Sequence, residues 1–243
     1  MLRAFSIVYW GFVVVTMPLL FAGALAVFVA TAWWDRRRLA LHLYSSAWAT
    51  FYVVANPLWA VRVEGRDLLP WSGAAVLVAN HLSMLDILVL YALFRPFKWV
   101  AKAELFRIPI VGWNMQLNEY VRIWRGDRES VRRMMAECRR HLARGTPVLL
   151  FPEGTRSGDG RLQPFKDGAF HLAVEAGCPV VPIAVAGTGE ALPKNGLVLR
   201  RRMQARVKVL PPVPSSGRAA SELKEAVRSA LVAALPPENR PAR

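Results

Sequence analysis

His81 and Glu153 stand 72 residues apart, each inside a short segment whose side chains suit proton transfer and anion binding. The first segment reads Asn80-His81-Leu82-Ser83-Met84-Leu85-Asp86, and the second Phe151-Pro152-Glu153-Gly154-Thr155-Arg156. A histidine backed by a carboxylate is a general base. The carboxylate fixes the ring tautomer and supports the imidazolium, while the other ring nitrogen takes a hydroxyl proton. In a continuous helix, residues five apart lie about 140° apart around the axis, so His81 and Asp86 meet only if His81 sits in a turn and Asp86 in the first helical turns. Ser83 suits a helix N-cap and no glycine elbow surrounds it, so it reads as structural rather than nucleophilic. Gly154 lets the backbone approach a ligand closely, and Arg156 can grip a phosphate with both guanidinium arms. A tight Asn-His turn with an aspartate early in a helix, and a solvated surface arginine, would each explain one segment. They do not explain both in one chain.

The segments must be carried by something rigid. Each follows an apolar run that reads as a buried strand, residues 74–79 before the first and 148–151 before the second. Further strands are expected at 61–65, 97–101, 180–186 and 204–210, with helical spacing over 83–94 and 167–176. Asp127 is placed to cap a helix running to Ala143 and closed by Gly145, and Ser221 to cap a last helix stopped by Pro236-Pro237. Strands alternating with helices predict an α/β fold with a largely parallel central sheet flanked by helices. Ligands gather at the carboxyl ends of strands in such sheets, where both segments fall.

The two segments and their neighbours resemble the 1-acylglycerol-3-phosphate acyltransferases among the glycerolipid acyltransferases. The resemblance rests on His-x-x-x-x-Asp followed by Glu-Gly-Thr-Arg. Between them come Lys102-Ala103-Glu104-Leu105-Phe106 and Ile108-Pro109-Ile110-Val111-Gly112-Trp113, and after them Phe165-Lys166-Asp167-Gly168-Ala169 and Val181-Pro182-Ile183. It is ordered and covers roughly residues 60–212. It implies that His81 and Asp86 are catalytic and that Glu153, Gly154, Thr155 and Arg156 line the glycerol-phosphate site. Arg125 stands where the family commonly ends a Phe-Ile-Asp-Arg motif, and so joins Arg156 at the phosphate; Lys102 and Lys166 are weaker candidates for the same anion. This chain has Glu119 where a glycine is usual, Arg122 in place of the phenylalanine and Trp124 in place of the aspartate.

The N-terminus points to a membrane. Between Arg3 and Asp35 lie 31 residues without a charged side chain, which as a helix would run about 46 Å, beyond a hydrocarbon core of about 30 Å. Pro18 sits mid-run, where a kink is expected. After Asp35-Arg36-Arg37-Arg38 a second apolar stretch runs from Leu39 to Val61, with His42 its only group titrating near neutral pH. Trp33, Trp34, Trp48 and Trp59 suit the interfacial level. A cleaved signal peptide fits poorly, because the apolar run continues past Ala24-Leu25-Ala26. Two spanning helices would place the arginines opposite a cytoplasmic catalytic part, against the positive-inside rule. One spanning helix with an interfacial one, or two helices within one leaflet, both remain open. The expected division is a membrane-associated helical segment, 1–61, and an acyltransferase domain, 62–243.

A net charge of +15 over 243 residues calls for an anionic partner. No nucleic-acid signature is present, so the lipid bilayer is expected rather than nucleic acid. Cys138 and Cys178 are too few for a disulfide framework, and Cys138 falls on an apolar helical stripe. Histidines 42, 81, 141 and 171 show no metal-ligand spacing. No cofactor is expected beyond acyl-CoA or acyl carrier protein as co-substrate. With the resemblance, these readings imply transfer of a fatty acyl group from an acyl thioester to the sn-2 hydroxyl of lysophosphatidic acid. The heavy use of arginine and alanine suggests a bacterium, hence its inner membrane with the catalytic part on the cytoplasmic side. The alternatives are another lysolipid acceptor, such as lyso-ornithine lipid, and a non-enzymatic adaptor on anionic membranes. An adaptor needs no general base.

Overall fold

The computed structural model describes residues 2–192, 198–199 and 202–242. Two helices open the chain, α1 (Leu2–Thr31) and α2 (Leu39–Val54). Among the described residues only α1 is long and apolar enough to cross a bilayer, and it runs through Pro18 without a break. The two helices pack as a hairpin. Tyr9 donates its hydroxyl to the carbonyl of Tyr52 at 2.7 Å, and Tyr44 donates to that of Leu20 at 3.0 Å. Gly23 makes the approach possible, since a Cβ there would lie 2.1 Å from the Tyr44 hydroxyl.

Among the described residues seven strands follow: β1 (Trp59–Glu64), β2 (Val76–Ala79), β3 (Lys98–Lys102), β4 (Val121–Ile123), β5 (Val148–Leu150), β6 (Val180–Ala186) and β7 (Met203–Val209). They form one sheet in the order β1-β7-β6-β2-β5-β3-β4. The run from β6 to β4 is parallel throughout, whereas β7 is antiparallel to β6 and carries β1 parallel to itself. The α/β, largely parallel architecture is the expected one. β2 and β5 are buried at every position, as a strand covered on both faces must be. β7 instead alternates buried Met203, Ala205, Val207 and Val209 with exposed Gln204, Arg206 and Lys208, so one of its faces meets water.

The period of two sorts the core into two layers. Leu77, Ala79, Leu149, Val181 and Ile183 face the side covered by α1, α2 and α3 (Leu85–Tyr91). Val76, Val78, Val148, Leu150 and Val180 face α5 (Arg128–Ala143), α6 (Gly168–Glu175) and α7 (Ala220–Ala234). The N-terminal helices thus share a continuous core with one face of the sheet. Even His42 is drawn into it, between the Tyr120 hydroxyl at 2.8 Å and the Arg95 carbonyl at 3.0 Å.

Asp127 caps α5 by accepting from the amides of Glu129 and Ser130, and Gly145 closes it with a φ of 67°, both as expected. Cys138 lies wholly in the core. Two helix starts differ for a physical reason. α3 is shorter than its apolar spacing suggests, because Leu82 and Ser83 turn their amides to the Asp86 carboxylate instead of starting the helix. α7 begins before Ser221, which is therefore inside the helix; Ala219 is the cap, and its amide donates to Glu222 at 3.1 Å. The sequence reading missed β4 and α4 (Val111–Leu117), each too short to display a period.

Candidate active site

β2, β5, β3 and β4 run parallel, so every segment leaving their carboxyl ends emerges at one edge of the sheet. His81 follows β2, Glu153 to Arg156 follow β5, Lys102 ends β3 and Arg125 follows β4. The topology therefore gathers all the candidate segments on one side, although they are dispersed along the chain.

His81 and Asp86 meet as required, His81 in the turn and Asp86 in the first turn of α3, with Nδ1 2.8 Å from the carboxylate. His81 is 8% exposed and Asp86 fully buried. Asp86 is held by donors on every side. The oxygen facing His81 also accepts from the amides of Leu82 at 2.6 Å and Ser83 at 2.8 Å, and the other oxygen accepts from the Thr188 hydroxyl. With Asp86 acting as acceptor throughout, Nδ1 carries the proton and the Nε2 lone pair is left for a substrate. Ser83 is buried, donates to the Leu192 carbonyl at 2.9 Å and accepts from the Leu85 amide at 3.3 Å; Met84, not Ser83, occupies the cap of α3.

The two motifs lock directly onto each other. One Glu153 oxygen accepts the His81 backbone amide at 2.8 Å and the other the Gln163 amide at 3.1 Å, while the Ser157 amide donates to the His81 carbonyl at 2.8 Å. Burial pushes the Glu153 carboxyl up to about 7, against the opposing pull of those two amides. The Phe151 ring stacks on the His81 imidazole at 3.9 Å between centroids and 12° between planes. It fixes the ring plane from the face, as Asp86 fixes it from the edge.

The remaining candidates are placed as follows. Gly154 has a φ of 70° and lies under the Lys166 side chain, whose Cε would be 2.8 Å from a Cβ there. Thr155 and Arg125 are exposed and Arg156 is half-buried. Lys102 pairs with Glu104 at 2.9 Å in solvent. Arg122 lies over the Phe106 ring at 4.7 Å, and Arg107 over Trp124 at 5.0 Å, so two of the three residues that depart from the family pattern form stacked pairs at β4.

Three supporting residues escaped the sequence reading. Thr188 reaches Asp86 from the segment after β6. Asn80 clamps Val185 of β6, accepting its amide at 2.7 Å and donating to its carbonyl at 2.8 Å. Asn80 and Phe151 were noted only as parts of the motifs. The available signal was the Gly187-Thr188 pair closing an apolar strand at the same sheet edge.

Comparison with known proteins shows the family. Residues 60–186 match the acyltransferase family model. A 1-acyl-sn-glycerol-3-phosphate acyltransferase of Chlamydomonas reinhardtii is 40% identical over 241 residues, covering 98% of this chain and 70% of that protein. A chloroplastic enzyme of the same description from Arabidopsis thaliana is 39% identical over 181 residues, 74% of this chain; the chain spans 50% of that longer protein. The crystal structure of the 1-acyl-sn-glycerophosphate acyltransferase of Thermotoga maritima superposes with a TM-score of 0.77 over 95% of both chains, at 26% identity. The chain therefore belongs to the 1-acyl-sn-glycerol-3-phosphate acyltransferase family.

Proposed function

We propose that this protein transfers a fatty acyl group from an acyl thioester to the sn-2 hydroxyl of lysophosphatidic acid, giving phosphatidic acid. The observation that carries the reading is the oriented His81–Asp86 pair, with Nδ1 bound at 2.8 Å and the ring stacked on Phe151. Nε2 takes the hydroxyl proton as the acceptor oxygen attacks the thioester carbonyl. The tetrahedral intermediate collapses, the C–S bond breaks, and the departing thiolate recovers the proton from Nε2. Asp86 keeps the ring in one tautomer through both steps. Glu153 acts as a positioning residue, tying the His81 peptide to the second motif.

Arg156 and Arg125 are proposed to anchor the acceptor phosphate, with Gly154 and Thr155 beside it and Lys166 and Lys102 at the rim. A phosphate monoester carries close to two charges, which suits two planar guanidinium forks. The donor is acyl-CoA or acyl carrier protein, and the apolar helices hold the enzyme on the cytoplasmic face of a bacterial inner membrane.

The test is transfer from a labelled acyl thioester to lysophosphatidic acid, lyso-ornithine lipid and lysophosphatidylglycerol in competition. Lysophosphatidic acid is expected to be the best acceptor, and His81→Ala to lower turnover by roughly 10²–10⁴-fold. Lysophosphatidic acid as the poorest acceptor would remove the acceptor assignment. Near-normal transfer by His81→Ala would remove the mechanism.

A further inference from the structure

Four guanidinium groups crowd a cleft at the opposite edge of the sheet from His81. The cleft, of about 590 Å³, lies between the α1–α2 turn and the end of α5, lined by Arg36, Arg37, Arg38 and Arg144 with Glu119 and Ala32. Arg144 and Gly145 precede β5, so this is the amino edge of the sheet, about one strand length or 15 Å from the reaction centre. Among the described lining residues a single carboxylate answers the four cations: Glu119 lies 3.2 Å from Arg38 and 3.8 Å from Arg144. Backbone contacts set the arginines in place. Arg37 donates to the Gly145 carbonyl at 3.3 Å, and Arg38 to that of Ala32 at 2.9 Å.

A second cleft of about 440 Å³ shares Glu119 and Arg144 with the first and is lined also by Arg122, Arg140, His141 and one further carboxylate, Glu137. His141 is only 4% exposed. Burial, then the nearby Lys98 charge, lowers its pKa to about 4. Fixed cations in surplus over carboxylate around a concave surface attract an anion, and arginine forks match phosphate in shape.

The position of the cleft identifies the source of that phosphate. Trp33 and Trp34, 81% and 57% exposed, closely precede the arginines, and Val29 and Leu25 continue an exposed apolar face along α1. Exposed tryptophans between an apolar strip and arginines mark the headgroup level of a bilayer. We propose that this cleft is a second lipid site, holding the phosphate of an anionic phospholipid whose acyl chains lie along α1. The site is separate from the reaction centre and independent of the reaction assigned to it.

Full-length protein in neutral detergent, titrated calorimetrically with short-chain phosphatidylglycerol, tests this. One saturable site is expected in the wild type, and equally in His81→Ala and Arg156→Ala. Arg36→Gln with Arg144→Gln should weaken binding roughly tenfold or more, and the paired lysine replacements should recover part of it. The lysine pair also serves where the glutamine pair fails to fold. Undiminished binding by the glutamine pair would overturn the site. Loss in Arg156→Ala instead would place the lipid at the reaction centre. Competition by inorganic phosphate at equal concentration would make the ligand a free anion rather than a lipid.

Discussion

At the residue scale, the chemistry depends on how completely His81 is immobilised. Asp86 holds its edge at 2.8 Å, Phe151 its face at 3.9 Å and Glu153 its backbone amide at 2.8 Å. A face-on aromatic ring attracts the imidazolium that forms during proton transfer, an effect of about 0.5–2 kcal/mol. Phe151→Leu should therefore lower kcat by roughly threefold to thirtyfold with little change in KM for the acceptor, and an unchanged kcat would show the stack to be mere packing. Glu153 gives a pH signature. Its carboxyl rises from 4.5 to about 7 on folding because it is buried. Between those values the folded state holds more protons than the unfolded one, so the contribution of Glu153 to stability falls as pH rises through the window. His42 and His141 titrate in both proteins, so the readout is the difference: the melting temperature of wild type minus that of Glu153→Gln should fall as pH rises from 4.5 to 7. A difference that does not change with pH would assign the slope elsewhere. The His81–Asp86 pair was legible in the sequence because its partners are five residues apart. Thr188 was not, since it reaches Asp86 across 102 positions and only strand order brings it there.

At the element scale, the strands that carry the motifs were readable because burial on both faces leaves uninterrupted apolar runs, as in Val76–Ala79 and Val180–Ala186. β4 was not, since Val121–Ile123 is three residues long and its identity as a strand comes from pairing with β3. The turn entering β4 contains a local conflict. Glu119 sits at a φ of 56°, a left-handed conformation that costs a non-glycine residue roughly 1 kcal/mol or more. In return its carboxylate reaches Arg38 and Arg144, joining the α1–α2 turn to α5. These pairs are partly exposed and contribute about 0–1 kcal/mol each. Glu119→Ala keeps the strain and loses the pairs, while Glu119→Gly loses the pairs and relieves the strain. The glycine variant should therefore melt a few degrees above the alanine variant. Equal melting of the two would show that the backbone there is unstrained.

At the scale of the whole molecule, the relation of α1 to the catalytic part follows from where the helix is held. Length and apolarity alone allow α1 to cross a bilayer, and the sequence left spanning and one-leaflet arrangements open. The packing favours the one-leaflet arrangement. Near its start Tyr9 meets Trp59 of β1 at 5.2 Å, in the middle Phe21 meets Trp113 of α4 at 5.8 Å, and near its end Phe28 lies 4.9 Å beneath Arg38, which in turn pairs with Glu119 at the entry to β4. A helix fastened along its length to the sheet domain cannot cross the hydrocarbon without drawing β1 and α4 in with it, and their polar groups oppose that. Meanwhile Ile7, Val8, Val15, Leu19 and Val29 stay exposed along its outer face. That strip suits a helix lying along one leaflet, with Arg3 and Arg36 at the same surface. Single cysteines at positions 3 and 36, in a chain whose buried Cys138 and Cys178 are replaced by alanine, give a direct readout. An impermeant maleimide should label both from the cytoplasmic side of inside-out vesicles and neither from the opposite side. Labelling of the two positions from opposite faces would mean that α1 spans, and that it leaves the packing described here when it enters the membrane.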